Sequence, residues 1–187
     1  MSNDLNSLPV HPDTQAILDY YDFDRIPVEG TLYKSTYVSD LKTERGTPVG
    51  TAIIALYSEA PFSASCFHRL QYDEVWHFYG GDPLKLILLH PDGTSEEVIM
   101  GSDVLNGEKV QYVIPAHTWQ AGCIVPGGRY ALFANTMTPG FDGAEFEAGI
   151  TAELIQQYPD REKEILKLSH NAGQTSMPEG YHQGNHS

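Results

Sequence analysis

The sequence predicts an all-β domain, a barrel or sandwich, with a short helix before it and a helical segment after it. Short runs rich in β-branched and aromatic residues fill the middle of the chain, and Gly, Pro, Asn or Asp separate most of them. The turns carry their own chemistry: HPDGTS supplies Asp-Gly for a tight hairpin, and VPGGRY supplies two adjacent glycines. Outside this middle, the apolar spacing changes from alternation to that of a helix. A length of 187 residues suits one domain, and 41% hydrophobic with 19% charged residues is a globular composition.

Residues 1–12 are polar, carry two prolines and read as a flexible arm. In DTQAILDYYDF, Ile17, Leu18 and Tyr21 fall at helical spacing behind Asp13 or Thr14 as the cap. The strands then follow as TLYKSTYVSD, GTAIIALYS, SASCFHRL, EVWHFYGG, LKLILLH, EEVIMG, VQYVIPA, CIVPGG and RYALFANTM. In ITAELIQQYPDREKEILKL, Ile150, Leu154 and Ile155, then Ile165, Leu166 and Leu168, mark two short helices interrupted at Pro159. Residues 169–187 have no periodic apolar face and are expected to form a mobile tail, which leaves residues 13–168 as a single domain.

A net charge of −14 with only 11 Lys and Arg repels nucleic acid and anionic membranes on average. Neither is expected as a partner. Arg69 beside His68 still allows a locally positive pocket. Cys66 and Cys123 are too few for a disulfide framework or a zinc cluster, and they read as buried structural thiols. No apolar run approaches membrane-spanning length, and no basic segment with an apolar run opens the chain. A cytoplasmic protein is the expectation.

The stretch SASCFHRLQYDEVWHFYGG carries the candidate chemistry. Residues two apart on a strand share a face, so His68 goes with Leu70, and Glu74 with Trp76 and Phe78. His77 faces the other way. A histidine and a glutamate inside a barrel must find partners, because an isolated buried charge costs several kcal/mol or is neutralised. They either face each other, hold a metal, or line a wet pocket.

The order of these residues resembles the two motifs of the cupin superfamily. His68, Glu74 and Gly81 fall on the first motif, and Gly107 to Gln120 on the second; Leu70 and Gln120 stand where two further histidines are usual, and His117 where a glycine is usual. The chain is more specifically similar to the DUF985 or Cupin_5 family. Pro27-Val28-Glu29-Gly30, then Ser65, His68, Arg69, Asp73, Glu74, Trp76 and Gly81, then Pro115, Trp119 and Gln120, then Pro139-Gly140-Phe141 and Phe146-Glu147 carry that similarity. Ile26 replaces the first histidine of the family's N-terminal pattern and Val28 is an extra residue, so no role is assigned there. The resemblance implies a cupin-like double-stranded β-helix, or jelly roll, and a homodimer.

Three readings follow for a pocket at the barrel mouth or interior. In the first, His68 is the general base of an isomerase, epimerase or lyase acting on a sugar-like or hydroxy- or keto-acid substrate, with Glu74 orienting it. Tyr33, Arg69, Trp76, Phe78, Trp119, Gln120 and Tyr130 would contact the ligand, and Tyr33, Tyr79 or Tyr130 would return a proton. In the second, the same pocket binds a small molecule without chemistry. In the third, a metal-dependent oxygenase, a divalent metal sits on His68, Glu74 and Gln120, and Leu70 in place of a histidine argues against it.

Overall fold

The structure, a computed structural model, describes residues 9–170 and 173–181. Helix α1 (Pro12–Tyr21) opens on a proline, whose fixed φ and missing N–H suit the first turn. Its cap is His11, which accepts from the Asp13 backbone N–H at 3.2 Å, rather than Asp13 or Thr14. Thr14 instead turns inward and donates to the Arg129 carbonyl at 3.1 Å, so Pro12 belongs to the helix and not to an arm.

The strands are β1 (Asp24–Arg25), β2 (Leu32–Val38), β3 (Thr51–Ser58), β4 (Ser65–Arg69), β5 (Glu74–Gly81) and β6 (Leu84–Leu89). They continue as β7 (Ser95–Met100), β8 (Gln111–Ile114), β9 (Trp119–Ile124), β10 (Tyr130–Met137) and β11 (Glu147–Ala148). All pair antiparallel in two sheets, ordered β1-β2-β3-β10-β5-β8 and β11-β4-β9-β6-β7. Sequential neighbours lie in different sheets at several points, which is the jelly-roll connectivity predicted.

The main core fills the space between the sheets, with Tyr57, Trp76, Leu84, Leu86, Leu88, Met100 and Phe133 at its centre. A second core lies on the outer face of the five-stranded sheet. There α2 (Thr151–Gln157) and α3 (Glu162–Leu168) bury Leu154, Tyr158, Ile165 and Leu168 on Phe67, Ile87, Leu89 and Trp119. This double cover explains why β6 reads LKLILL, nearly apolar on both faces. Leu166, expected on the apolar stripe, is exposed instead, because Ile165 and Leu168 already take the inward face of α3.

The segment after α3 departs from the expectation of a mobile tail. His170 donates from Nε2 to the Val28 carbonyl at 2.8 Å, and the Ala148 N–H donates to the Thr175 carbonyl at 2.7 Å. Met177 is buried in the main core, and the Tyr181 hydroxyl donates to Tyr33 Oη at 2.8 Å. Two apolar side chains anchoring an otherwise aperiodic stretch suffice to dock it. Met177→Ala should lower the unfolding free energy by about 2–4 kcal/mol in urea titrations, and a change below about 0.5 kcal/mol would show that the docking contributes nothing. Residues 1–8 of the expected arm, and His182 and His186 of the expected tail, lie outside the described residues.

Candidate acid/base site

Strict alternation along β4 would put Ser65 and His68 on opposite faces. Opposite β9, however, Ser65 pairs with Gly122 and His68 with Gln120, so three steps on β4 match two on β9. This bulge turns both side chains inward, a device that strands use to re-aim a residue. His68 is almost fully buried, and its ring stacks on Phe146 at 5.2 Å. Its Nδ1 lies 2.8 Å from the Cys66 carbonyl, which can only accept, so Nδ1 carries a proton. In the neutral ring Nε2 then keeps its lone pair.

Nε2 faces Glu29, 3.9 Å from Oε2. Glu29 arrives on the turn before β2, where Val28 holds φ of 65°, a conformation few β-branched residues adopt. The Gly30 N–H to Ile26 carbonyl bond (3.0 Å), the Cys66 N–H to Glu29 carbonyl bond (3.0 Å) and His170 on Val28 hold that turn. Two hydroxyls fix the carboxyl group: Thr31 Oγ1 at 2.5 Å and Ser65 Oγ at 2.9 Å both donate to Oε1. Ser65 is itself hydrogen-bonded to the buried Tyr57 hydroxyl.

Gly122 lets the Tyr57 ring pass, since a Cβ there would lie 2.6 Å from Tyr57 Oη. Gly122→Ala should therefore cost about 1–3 kcal/mol of overpacking, read from chemical denaturation. No loss of stability would mean the ring has room to move.

Glu74 opens β5 and is buried. Its Oε2 accepts from Trp76 Nε1 at 2.8 Å, and the Gln120 amide also donates to it. Burial raises its pKa from 4.5 to about 7; Glu29 pushes the same way, while His68, Trp76 and Gln120 oppose. Gln120 Oε1 accepts from the same indole N–H at 3.2 Å. Trp76 stacks on Phe133 with ring centres 4.7 Å apart, which locks the indole.

Glu29, Thr31, His68, Glu74, Trp76 and Asn135 meet around one cavity, walled by Ile26, Ile53, Leu70 and Phe141. Its volume is about 10 Å³. That is space for roughly one water molecule.

Of the residues expected here, His68, Glu74 and Trp76 line the cavity, and Gln120 joins them from behind through the Trp76 indole. The other expected ligand contacts neither line the cavity nor bond to its lining. Arg69 follows His68 and points outward, paired to Glu147 at 2.8 Å, with its guanidinium 4.4 Å from the centre of the Trp119 ring. Trp119 belongs to the outer core under the helices. Phe78 is two steps further along β5 than Trp76, in the main core, and Tyr33 is engaged with Tyr181. Tyr130 begins β10 opposite Ser58, and Tyr79 is 59% exposed on the outer face of β5. In each case strand parity or distance along the strand decides the placement.

The expected metal set of His68, Glu74 and Gln120 does not fit either. Among the described residues no three His, Cys, Asp or Glu side chains gather as ligands. Gln120 spends its oxygen on the indole, which leaves that oxygen committed rather than open as a ligand. His77 faces outward as expected, accepting from Gln111 at Nδ1 and donating to Thr136 from Nε2 at 3.1 Å. His117 adopts φ of 66°, which accounts for the glycine usual at that place. Burial raises the Cys66 thiol to about 11, in keeping with an inert structural role.

Glu29, Thr31, Ser65 and Asn135 were not assigned to the site from the sequence. Glu29-Gly30 lay in the N-terminal pattern, which the replacement at Ile26 and the extra Val28 obscured. Asn135 did leave a trace: in RYALFANTM it shares a strand face with Phe133 and Met137, a polar residue in an apolar series.

Two antiparallel sheets closed around a buried histidine and carboxyl groups define a cupin barrel. The chain belongs to the Cupin_5 family of the cupin superfamily (DUF985), which matches residues 15–149. The chain is similar to a hypothetical protein from Leishmania major (26% identity, TM-score 0.74), with 84% of this chain and 98% of that one covered. It is equally similar to protein SO0799 from Shewanella oneidensis (26% identity, TM-score 0.76, the same 84% and 98% coverage). Over 79 residues it is 28% identical to the uncharacterized protein YML079W of Saccharomyces cerevisiae, spanning 41% of this chain and only 39% of that relative.

Proposed function

We propose that this cavity takes the reacting end of a small sugar-like or hydroxy- or keto-acid substrate in the acid/base site of an isomerase, epimerase or lyase. The observation that carries this reading is the orientation of His68: with Nδ1–H held by the Cys66 carbonyl, the basic Nε2 points at the cavity. Nε2 removes the proton next to a carbonyl. Glu74, which keeps its own proton up to about pH 7, is the acid that protonates the oxygen or the other carbon face. Glu29 stabilises the imidazolium as it forms, from 3.9 Å.

The test is deuterium incorporation from D2O into a panel of hydroxyketones, keto-sugars and keto-acids, followed by proton NMR. Exchange that His68→Gln removes supports the reading; no exchange across the panel, or exchange indifferent to His68→Gln, overturns it. A second reading, a binding module without chemistry, draws on the small cavity of about 10 Å³ and on how fully Glu74, Trp76 and Gln120 satisfy one another. Ligands that raise the melting temperature and are recovered unchanged would favour it.

The proposal extends to a homodimer in the cytoplasm. Val113 on the edge strand β8, Val110 just before it and Tyr79 on the neighbouring β5 expose about half of their surface or more, and a second sheet edge would cover them. Both cysteines are free, and among the described residues no helix is long and apolar enough to cross a membrane.

A further inference from the structure

Asn135 holds a donor with no acceptor. It sits on β10 directly opposite Trp76 on one side and Ile53 on the other, and cross-strand partners share a face, so all three point into the same cavity. Thr136, the next residue, faces outward to His77. Asn135 is only 6% exposed, and its Nδ2 is buried without a hydrogen-bond partner. Nearly all buried amides in proteins are paired, and leaving one unpaired is costly unless a ligand, or a water that a ligand oxygen can replace, completes it.

We infer that Asn135 Nδ2 is the recognition donor for the uncharged carbonyl or hydroxyl oxygen of the ligand, and that the site discriminates against carboxylates. The inference rests on the acid/base reading's use of this cavity and narrows its substrate class to the uncharged, sugar-like members, setting the hydroxy- and keto-acids aside. Charge carries the second half. The cavity of about 10 Å³ leaves room for one small group beside Asn135. Its lining holds the carboxyl groups of Glu29 and Glu74 and neither lysine nor arginine, so an anion would meet repulsion with no counter-charge. Arg69, the cation nearest in sequence, is on the far side of β4, tied to Glu147. Asn135 thus selects the oxygen on which charge develops when His68 takes a neighbouring proton.

The probes are hydroxyacetone and pyruvate, one uncharged and one anionic, titrated at pH 8 into the ¹⁵N-labelled protein. The Asn135 side-chain amide signal is assigned by its loss in Asn135→Asp. Hydroxyacetone should shift that signal saturably, and pyruvate should bind at least about tenfold more weakly. Asn135→Leu, which fills the place without a donor, should weaken hydroxyacetone by roughly tenfold or more, and Glu29→Gln should narrow the gap between the two probes. An amide signal that hydroxyacetone leaves in place, unchanged affinity in Asn135→Leu, or equal or tighter binding of pyruvate overturns the inference. Saturable hydroxyacetone binding without deuterium exchange would instead remove the catalytic reading and leave Asn135 in place. Exchange that ignores Asn135→Leu would do the reverse.

Discussion

Glutamine in place of His68 is expected to lower the deuterium-exchange rate on a responsive substrate by about 10²–10⁴-fold, the usual contribution of a positioned base. The substitution is chosen because a glutamine amide stands, uncharged, where Nε2 stands. It fills much of the same volume beside Phe146, and the Cys66 carbonyl, 2.8 Å from Nδ1 in the native site, loses that donor, so a stability cost of about 1–3 kcal/mol is expected. What it lacks is a basic lone pair. The loss should therefore fall on the rate of the chemical step, with binding moved much less. Exchange within about threefold of the native rate would transfer the base to another group, with Glu29, 3.9 Å from Nε2, first in line.

Raising the pH from 4.5 to 8 should cost this protein roughly 3 kcal/mol of stability through Glu74 alone. The folded protein raises the pKa of this carboxyl group from 4.5 to about 7, chiefly because burial disfavours the charged form. Below 4.5 the group is protonated whether the chain is folded or not, so it imposes no penalty. Between 4.5 and 7 the unfolded chain releases the proton while the folded chain retains it, and stability falls as the pH rises. Above 7 both states are ionised and the loss levels off. Urea unfolding at several pH values measures the slope, and Glu74→Gln should remove this contribution to it, whatever offset the new amide introduces opposite Gln120. A variant with the native slope would show that Glu74 ionises in the folded state as easily as in water.

The two expectations pull on the same pair of residues in opposite ways. A pocket that keeps one carboxyl group protonated near neutrality is useful for proton transfer and is unfavourable for folding. The hydrogen bonds from Trp76 and Gln120 limit that cost without abolishing it, because both also favour the ionised form.

Much of this was legible in the order of residues. Alternation in EVWHFYGG sends Glu74, Trp76 and Phe78 inward and His77 outward, and it does so in the structure because a pleated strand has a period of two. The helical spacing around Pro159 likewise became α2 and α3. The same parity, applied to contact rather than to facing, misplaced Arg69 and Trp119. Each is adjacent to an inward residue, His68 and Gln120, and each therefore lies on the outer face, where the two stack on each other.

What the sequence by itself determined was the class of fold, the inward direction of His68 and Glu74, and the strand on which each stands, since these follow from local periodicity and turn chemistry. Only the tertiary structure decided who meets them. Glu29 comes from a turn 39 positions before His68, brought there by the pairing of β2 into one sheet and by its backbone bond to Cys66 in the other. Ser65 joins through a bulge that no local pattern announces, and Asn135 through the register of β10 between β3 and β5. Periodicity is a property of neighbours along the chain, whereas a cavity is closed by residues that become neighbours only when the sheets pack, and that is why the polar cluster was half visible before the fold was known.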